Sequence, residues 1–169
     1  MLFLENPTKG FGLVEISKKL KLGPPSVKRY LDEMEMECLI LVKSLHNRKL
    51  YFANRENRKF KIYQVFHIFI KIENSGLLAF IEKELKFPTI ILFGSYAIGE
   101  ATEKSDMDIA IISSTKKYFK MDEFEKSLGK TIHIFVFTNK EFGDLKRKNK
   151  DLYNNILNGR ILSGYLNVV

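Results

Sequence analysis

The sequence has a single cysteine, Cys38, so it builds no internal disulfide framework and no cysteine-rich metal site. It has no apolar run approaching the roughly 20 residues that a membrane-spanning helix needs, so no membrane partner is expected. Its first residues, MLFLENPTKG, hold an acid and a proline but no basic leader, and do not read as a signal peptide. Internal repeats and low-complexity tracts are also missing. A cytoplasmic protein is the expectation.

What is there is enough for one ordinary domain or two small ones: 169 residues, 45% of them hydrophobic, which supports a real core. The net charge is +8 and it is uneven. Residues 1–88 carry 16 basic and 10 acidic side chains, residues 89–169 carry 12 and 10. The front half is therefore the part expected to meet a polyanion. A solvated lysine-rich surface would have the same composition, so charge alone does not decide between them.

In GLVEISKKLKLGPPSVKRYLDEMEMECLI, the residues Val14, Ile16, Leu20 and Leu22 supply apolar positions compatible with one short helix. Gly23-Pro24-Pro25 interrupts it, and Pro25 can sit in the first turn of a second helix. That helix would turn Val27, Tyr30, Leu31 and Met34 inward, leaving Ser26, Lys28, Arg29 and Asp32 outside. CLILVKSL and KLYFAN then read as two strands around a turn at His46-Asn47-Arg48. Two helices, a tight turn and a basic hairpin resemble the winged helix-turn-helix family over roughly the first third of the chain. The resemblance implies binding of double-stranded DNA by Ser26, Lys28, Arg29, Arg48 and Lys49, or else a winged helix recruited for protein contacts.

FKIYQVFHIFIKIEN, residues 60–74, is apolar nearly all round, broken by Lys61, Gln64, His67, Lys71 and Asn74 at helical spacing. It is expected to be a buried bridging helix whose narrow polar stripe, His67 included, faces solvent, and to join two copies as a homodimer. A further helix places Leu77, Leu78, Phe80, Ile81 and Leu85 on its buried side and stops at Pro88.

TIILFGS is a short continuous apolar run, the pattern of a strand buried on both faces, and it ends at Gly94-Ser95. SYAIG allows one helical turn before Gly99, with free amide groups above the strand end that suit a phosphate. DMDIAII reads as the neighbouring strand. Residues two apart on a strand share a face, so Asp106 and Asp108 project together. Two carboxylates so close need a cation between them, and Mg²⁺ or Mn²⁺ shared with nucleotide phosphates meets that need.

Gly-Ser, ten intervening residues and Asp-x-Asp, with Gly99 and Ser105 between, resemble the minimal nucleotidyltransferases of the polymerase-beta type. The resemblance runs from residue 88 to the C-terminus. It implies that Gly94, Ser95, Gly99 and Ser105 hold the nucleotide and that Asp106 and Asp108 hold the metal. Two departures stand out. Relatives carry a third carboxylate on a later strand, where GKTIHIFVFT places His133, and many place a basic residue where this chain has Ile98. Two roles are open to His133: a metal ligand or base, or an ordinary strand histidine at the sheet edge.

The fold expected is α+β in two domains, a winged helix at 1–58 and a small mixed-sheet nucleotidyltransferase domain at 88–169, with a helical linker at 59–87. The function expected is transfer of a nucleoside monophosphate, AMP from ATP, with catalytic Asp106, Asp108 and His133. The resemblance further implies an antitoxin or autoregulator partnered with a HEPN-type toxin. The competing expectations are a DNA-binding regulator whose second domain binds nucleotide without turnover, and a purely structural module.

Overall fold

A computed structural model describes residues 1–166. The chain opens with a single helical turn, α1 (Leu2–Glu5), then a two-residue strand, β1 (Phe11–Gly12), that runs straight into α2 (Leu13–Leu20). Pro24 and Pro25 open α3 (Pro24–Met36), where a missing N–H leaves no helical bond unmade. The hairpin of β2 (Ile40–Leu45) and β3 (Arg48–Ala53) follows. Its loop is His46-Asn47 alone, with φ of 48° and 59°, the left-handed geometry of a two-residue hairpin turn. Arg48 thus belongs to the strand rather than to the turn. β1 adds to the free edge of β3, giving the sheet order β1-β3-β2. Two residues carry no periodicity, which is why this strand leaves no trace in the sequence pattern.

Phe11, Ile16, Val27, Leu31, Ile40 and Phe60 are among the side chains that fill the first core. Tyr30, expected inward, is instead exposed, and so are Val14, Leu20 and Leu22. α2 has only eight residues and presents Ile16 to the core. Tyr30 lies about 100° around α3 from Leu31, and its ring carries the Arg29 guanidinium at 5.1 Å.

Next come α4 (Arg58–Asn74), capped by the Asn57 side chain, and α5 (Leu77–Glu84). β4 (Thr89–Phe93), the one-turn α6 (Ser95–Ile98) and β5 (Met107–Ser113) form the centre of a second sheet. It is completed by α7 (Asp122–Leu128), β6 (Ile132–Thr138), α8 (Asn139–Lys148), α9 (Lys150–Leu157) and β7 (Arg160–Ser163). The order is β6-β5-β4-β7, with β5 and β6 parallel and the other pairs antiparallel. Residues 167–169 lie outside those described.

Alternation of side chains divides this sheet into two cores. Ile90 and Leu92 of β4 with Met107, Ile109 and Ile111 of β5 face α4 and α5. Ile91 and Phe93 with Ala110 and Ile112 face α8 and α9. The helices at 58–84 pack as a layer against the second core, and Phe60 reaches back into the first. Among the described residues no helix is long and apolar enough to cross a membrane.

The polar stripe of α4 points inward, opposite to expectation. Gln64 is buried and donates from Nε2 to the Ala101 carbonyl at 2.9 Å. Lys61 pairs with Glu100, and Gly99 packs so closely that a Cβ there would lie 2.4 Å from the Lys61 carbonyl oxygen. Arg55 donates to the Glu100 carbonyl, and the Thr8 amide and hydroxyl both donate to Glu103. Residues 99–103 are peptide-rich and polar, so the helix side meeting them must be polar to satisfy them. His67 lies on that side with its side chain only 10% exposed. Glu5 Oε1 stands 3.4 Å from its Nε2, within ion-pairing range but without hydrogen-bond geometry.

Burial, opposed by Glu5 and assisted by Lys71 and the N-terminal amine, holds the His67 pKa below 6.5. A depressed histidine contributes stability that is present above the unfolded pKa and lost as pH falls through the folded one. The melting temperature should therefore drop as pH is lowered from about 7 towards about 5, and His67→Gln should flatten that drop in calorimetric scans. Equal slopes for the two proteins would show that His67 is not the group responsible.

Candidate active site

β4 is buried from end to end and stops at Phe93 because Gly94 takes φ 70°, ψ −153°, a conformation essentially confined to glycine. The chain turns there into α6. Opposite Phe93 in the antiparallel register is Asp108, and its Oδ2 would lie 2.7 Å from a Cβ at position 94. A bare Cα is what lets this carboxylate stand against the turn. Asp106 precedes the first residue of β5, and Met107 between the two acids is fully buried on the other side. Strand alternation turns Asp108 away from the α4–α5 core, while Asp106 lies just outside the strand. Asp106 is felt at α6: burial first, then the charges of Asp106 and Glu103, push the Tyr96 hydroxyl up to about 12.

β6 brings the third group. Parallel pairing sets His133 beside Asp108, with Nδ1 at 3.3 Å from Oδ1. Both side chains are partly open to solvent. Among the described residues no three His, Cys, Asp or Glu side chains form a ready-made metal cage. Mg²⁺ and Mn²⁺ bound with a nucleotide take only one or two protein carboxylates, the remainder being phosphate and water. Asp106 and Asp108, beside a turn with no Cβ, fit that requirement.

The other expected nucleotide residues separate. Ser95 opens α6 beside Gly94, and its carbonyl accepts from the Glu100 amide. Gly99 ends α6 at φ 73° with its open side against Lys61. Ser105 Oγ accepts from the Thr102 amide at 2.9 Å, and its carbonyl from the Tyr96 hydroxyl at 3.4 Å. Gly99 and Ser105 thus shape the loop between the two halves of the site. Far along the chain, Ser26, Lys28 and Arg29 are exposed on α3, and Arg48 and Lys49 are exposed at the hairpin. Lys28 pairs with Asp32 on the same helix.

The family model described as "Nucleotidyltransferase domain" matches residues 75–162, more than half of the chain. The chain belongs to that family. A Methanocaldococcus jannaschii protein named "Putative protein adenylyltransferase" is similar, at 39% identity over 77 residues, covering 43% of this chain and 75% of that protein. Nucleotidyltransferases of this family generally act on a nucleoside triphosphate with a divalent metal. The match begins just before α5 and includes the Gly-Ser turn, both aspartates and His133.

Within this nucleotidyltransferase, two cations near α6 escape a reading of the sequence. Arg160, on β7, donates from Nε to the Ala97 carbonyl at 3.3 Å and so brings a guanidinium to the helix where Ile98 supplies no charge. Lys130, before β6, donates to the Glu103 carbonyl at 2.7 Å, and burial lowers its pKa. The only trace of Arg160 is the apolar stretch after it; nothing local says that β7 pairs with β4.

Gly94→Ala should destabilise the protein by about 1–3 kcal/mol, since the new methyl meets both a disfavoured φ and the Asp108 carboxylate. Urea unfolding measures this. Gly143→Ala, on the open side of α8, serves as the control, because a Cβ there meets nothing within 4 Å.

Proposed function

We propose that this protein transfers AMP from ATP to a hydroxyl of a protein acceptor. The observation carrying the proposal is the approach of Asp108 to the glycine turn, with Asp106 two residues before it at the start of the same strand. Gly94 and Ser95 would receive the phosphates, with the first amides of α6 as donors. Asp106 and Asp108 would hold Mg²⁺ or Mn²⁺, which supplies Lewis-acid stabilisation of charge at the α-phosphate. The acceptor oxygen bonds to the α-phosphorus, the bond to the β-phosphate bridging oxygen breaks, and pyrophosphate leaves. His133, oriented by Asp108, is placed to take the hydroxyl proton on its imidazole. The Arg160 guanidinium adds positive charge to a cradle whose helix has none.

A protein acceptor is suggested by the name of the Methanocaldococcus relative. A toxin of the HEPN type, the partner implied by the minimal nucleotidyltransferase pattern, is the specific acceptor proposed. Labelled ATP with Mg²⁺ or Mn²⁺ and cell extract should give label transfer to protein. Asp106→Asn should reduce that transfer by at least about 10²-fold, the scale of losing an electrostatic contributor to catalysis; undiminished transfer would remove Asp106 from the site. A second reading is favoured by His133, a neutral ligand in a position where a carboxylate would strengthen metal binding. In that reading the domain binds ATP without turnover and serves as a sensor. ATP binding with no transfer under any metal condition would support it.

The N-terminal unit, residues 1–58, is proposed to be a winged helix that binds duplex DNA, with α3 in the groove and the β2–β3 hairpin as the wing. Support comes from the order α2, α3, hairpin and from the exposure of Lys28, Arg29, Arg48 and Lys49. Exchanging Lys28, Arg48 and Lys49 for Glu should weaken duplex binding at low salt by at least about tenfold. It should also flatten the salt dependence by about 0.9 log units for each phosphate no longer neutralised. Fluorescence anisotropy across a salt series measures both.

A further inference from the structure

The face of α4 opposite the two cores is apolar and uncovered. Ile62, Tyr63, Phe66 and Ile70 are exposed, Phe66 to 63% and Ile62 to 55%. At 100° per residue they fall, with Lys59 and Glu73, within an arc of roughly 100°. The buried positions Phe60, Gln64, Ile68 and Ile72 lie on the other side. A helix that is apolar on two sides has a second partner to find.

The order of residues along this stripe says what the partner is. Phe66 stands at its middle. Ile62 lies four residues before it and Ile70 four after; Lys59 lies seven before and Glu73 seven after. Reversing the stripe end for end therefore puts Phe66 on Phe66, Ile62 on Ile70 and Lys59 on Glu73. That is the condition for a two-fold interface, in which each contact occurs twice. Parallel pairing in register would instead place Lys59 on Lys59 and Glu73 on Glu73. Both charged residues are exposed, and Lys59, which meets Glu37 of its own chain, keeps about half of its side-chain surface open.

We propose that a second copy of this chain covers the stripe, the two α4 helices packing antiparallel about a two-fold axis at Phe66. Each Lys59 ammonium then faces Glu73 of the second copy, about 10 Å along the helix from the axis. The inference deepens the homodimer expectation by naming its seam and register. It uses no group of the nucleotide site, so its failure leaves the transferase reading standing.

Sedimentation equilibrium of the full chain should give about twice 19.7 kDa at micromolar concentration. Phe66→Asp should raise the dissociation constant by at least about 10²-fold and leave the melting temperature of the monomer nearly unchanged, since the side chain is mostly exposed. Glu73→Lys alone and Lys59→Glu alone should each weaken the dimer roughly tenfold through two like-charge contacts. The double exchange should restore it. A wild-type monomer, or a dimer that survives Phe66→Asp, overturns the proposal. Weakening in both single variants without rescue in the double overturns the antiparallel register.

Discussion

The structure turns on one close approach: the carboxylate of Asp108 against a backbone position that has no side chain. Gly94 ends a fully buried strand in a conformation other residues avoid, and the space left by its missing Cβ is where Oδ2 of Asp108 comes. Everything in the second sheet serves that placement. The antiparallel register of β4 and β5 sets Asp108 opposite Phe93, and the parallel register of β5 and β6 sets His133 on its other side. A one-residue slip in either pairing would turn these groups to the opposite face. Full burial of the apolar residues on both faces of the central strands forbids that slip.

The same economy governs the join between the two halves of the chain. α4 is one helix doing two jobs: Phe60 completes the first core, while Ile68 and Ile72 complete the second. Its polar side meets residues 99–103, the segment linking the Gly-Ser turn to the aspartates. Gln64, Lys61, Arg55 and Thr8 bind groups of that segment directly. The loop between the Gly-Ser turn and the two aspartates is thus held from outside its own sheet.

Much of the site was legible in the chain. Continuous apolar runs mark β4 and β5, and glycine marks the turns at 94 and 99. That His133 stands beside Asp108 follows from the parallel register of β5 and β6. Less could be read where periodicity gave the right element but the wrong environment. The polar stripe of α4 was read as a solvent face, because spacing reports which residues share a side, not what that side meets. Val14 and Leu20 lie in a helix too short to bury more than one flank, and Leu22 lies beyond its end. Lys130 and β1 leave no signal and Arg160 only the apolar stretch after it, since each acquires its role from a segment distant in sequence.

The sequence by itself determined the local vocabulary: which stretches are strands or helices, and where they must turn. Those are properties of neighbouring residues, set by side-chain sterics and by glycine's freedom. Tertiary structure alone decided what each face would meet. It turned the polar side of α4 inward against a peptide-rich loop, left its apolar side open, and carried Arg160 to α6. Contacts between distant segments depend on register and layer order, and no local pattern encodes those.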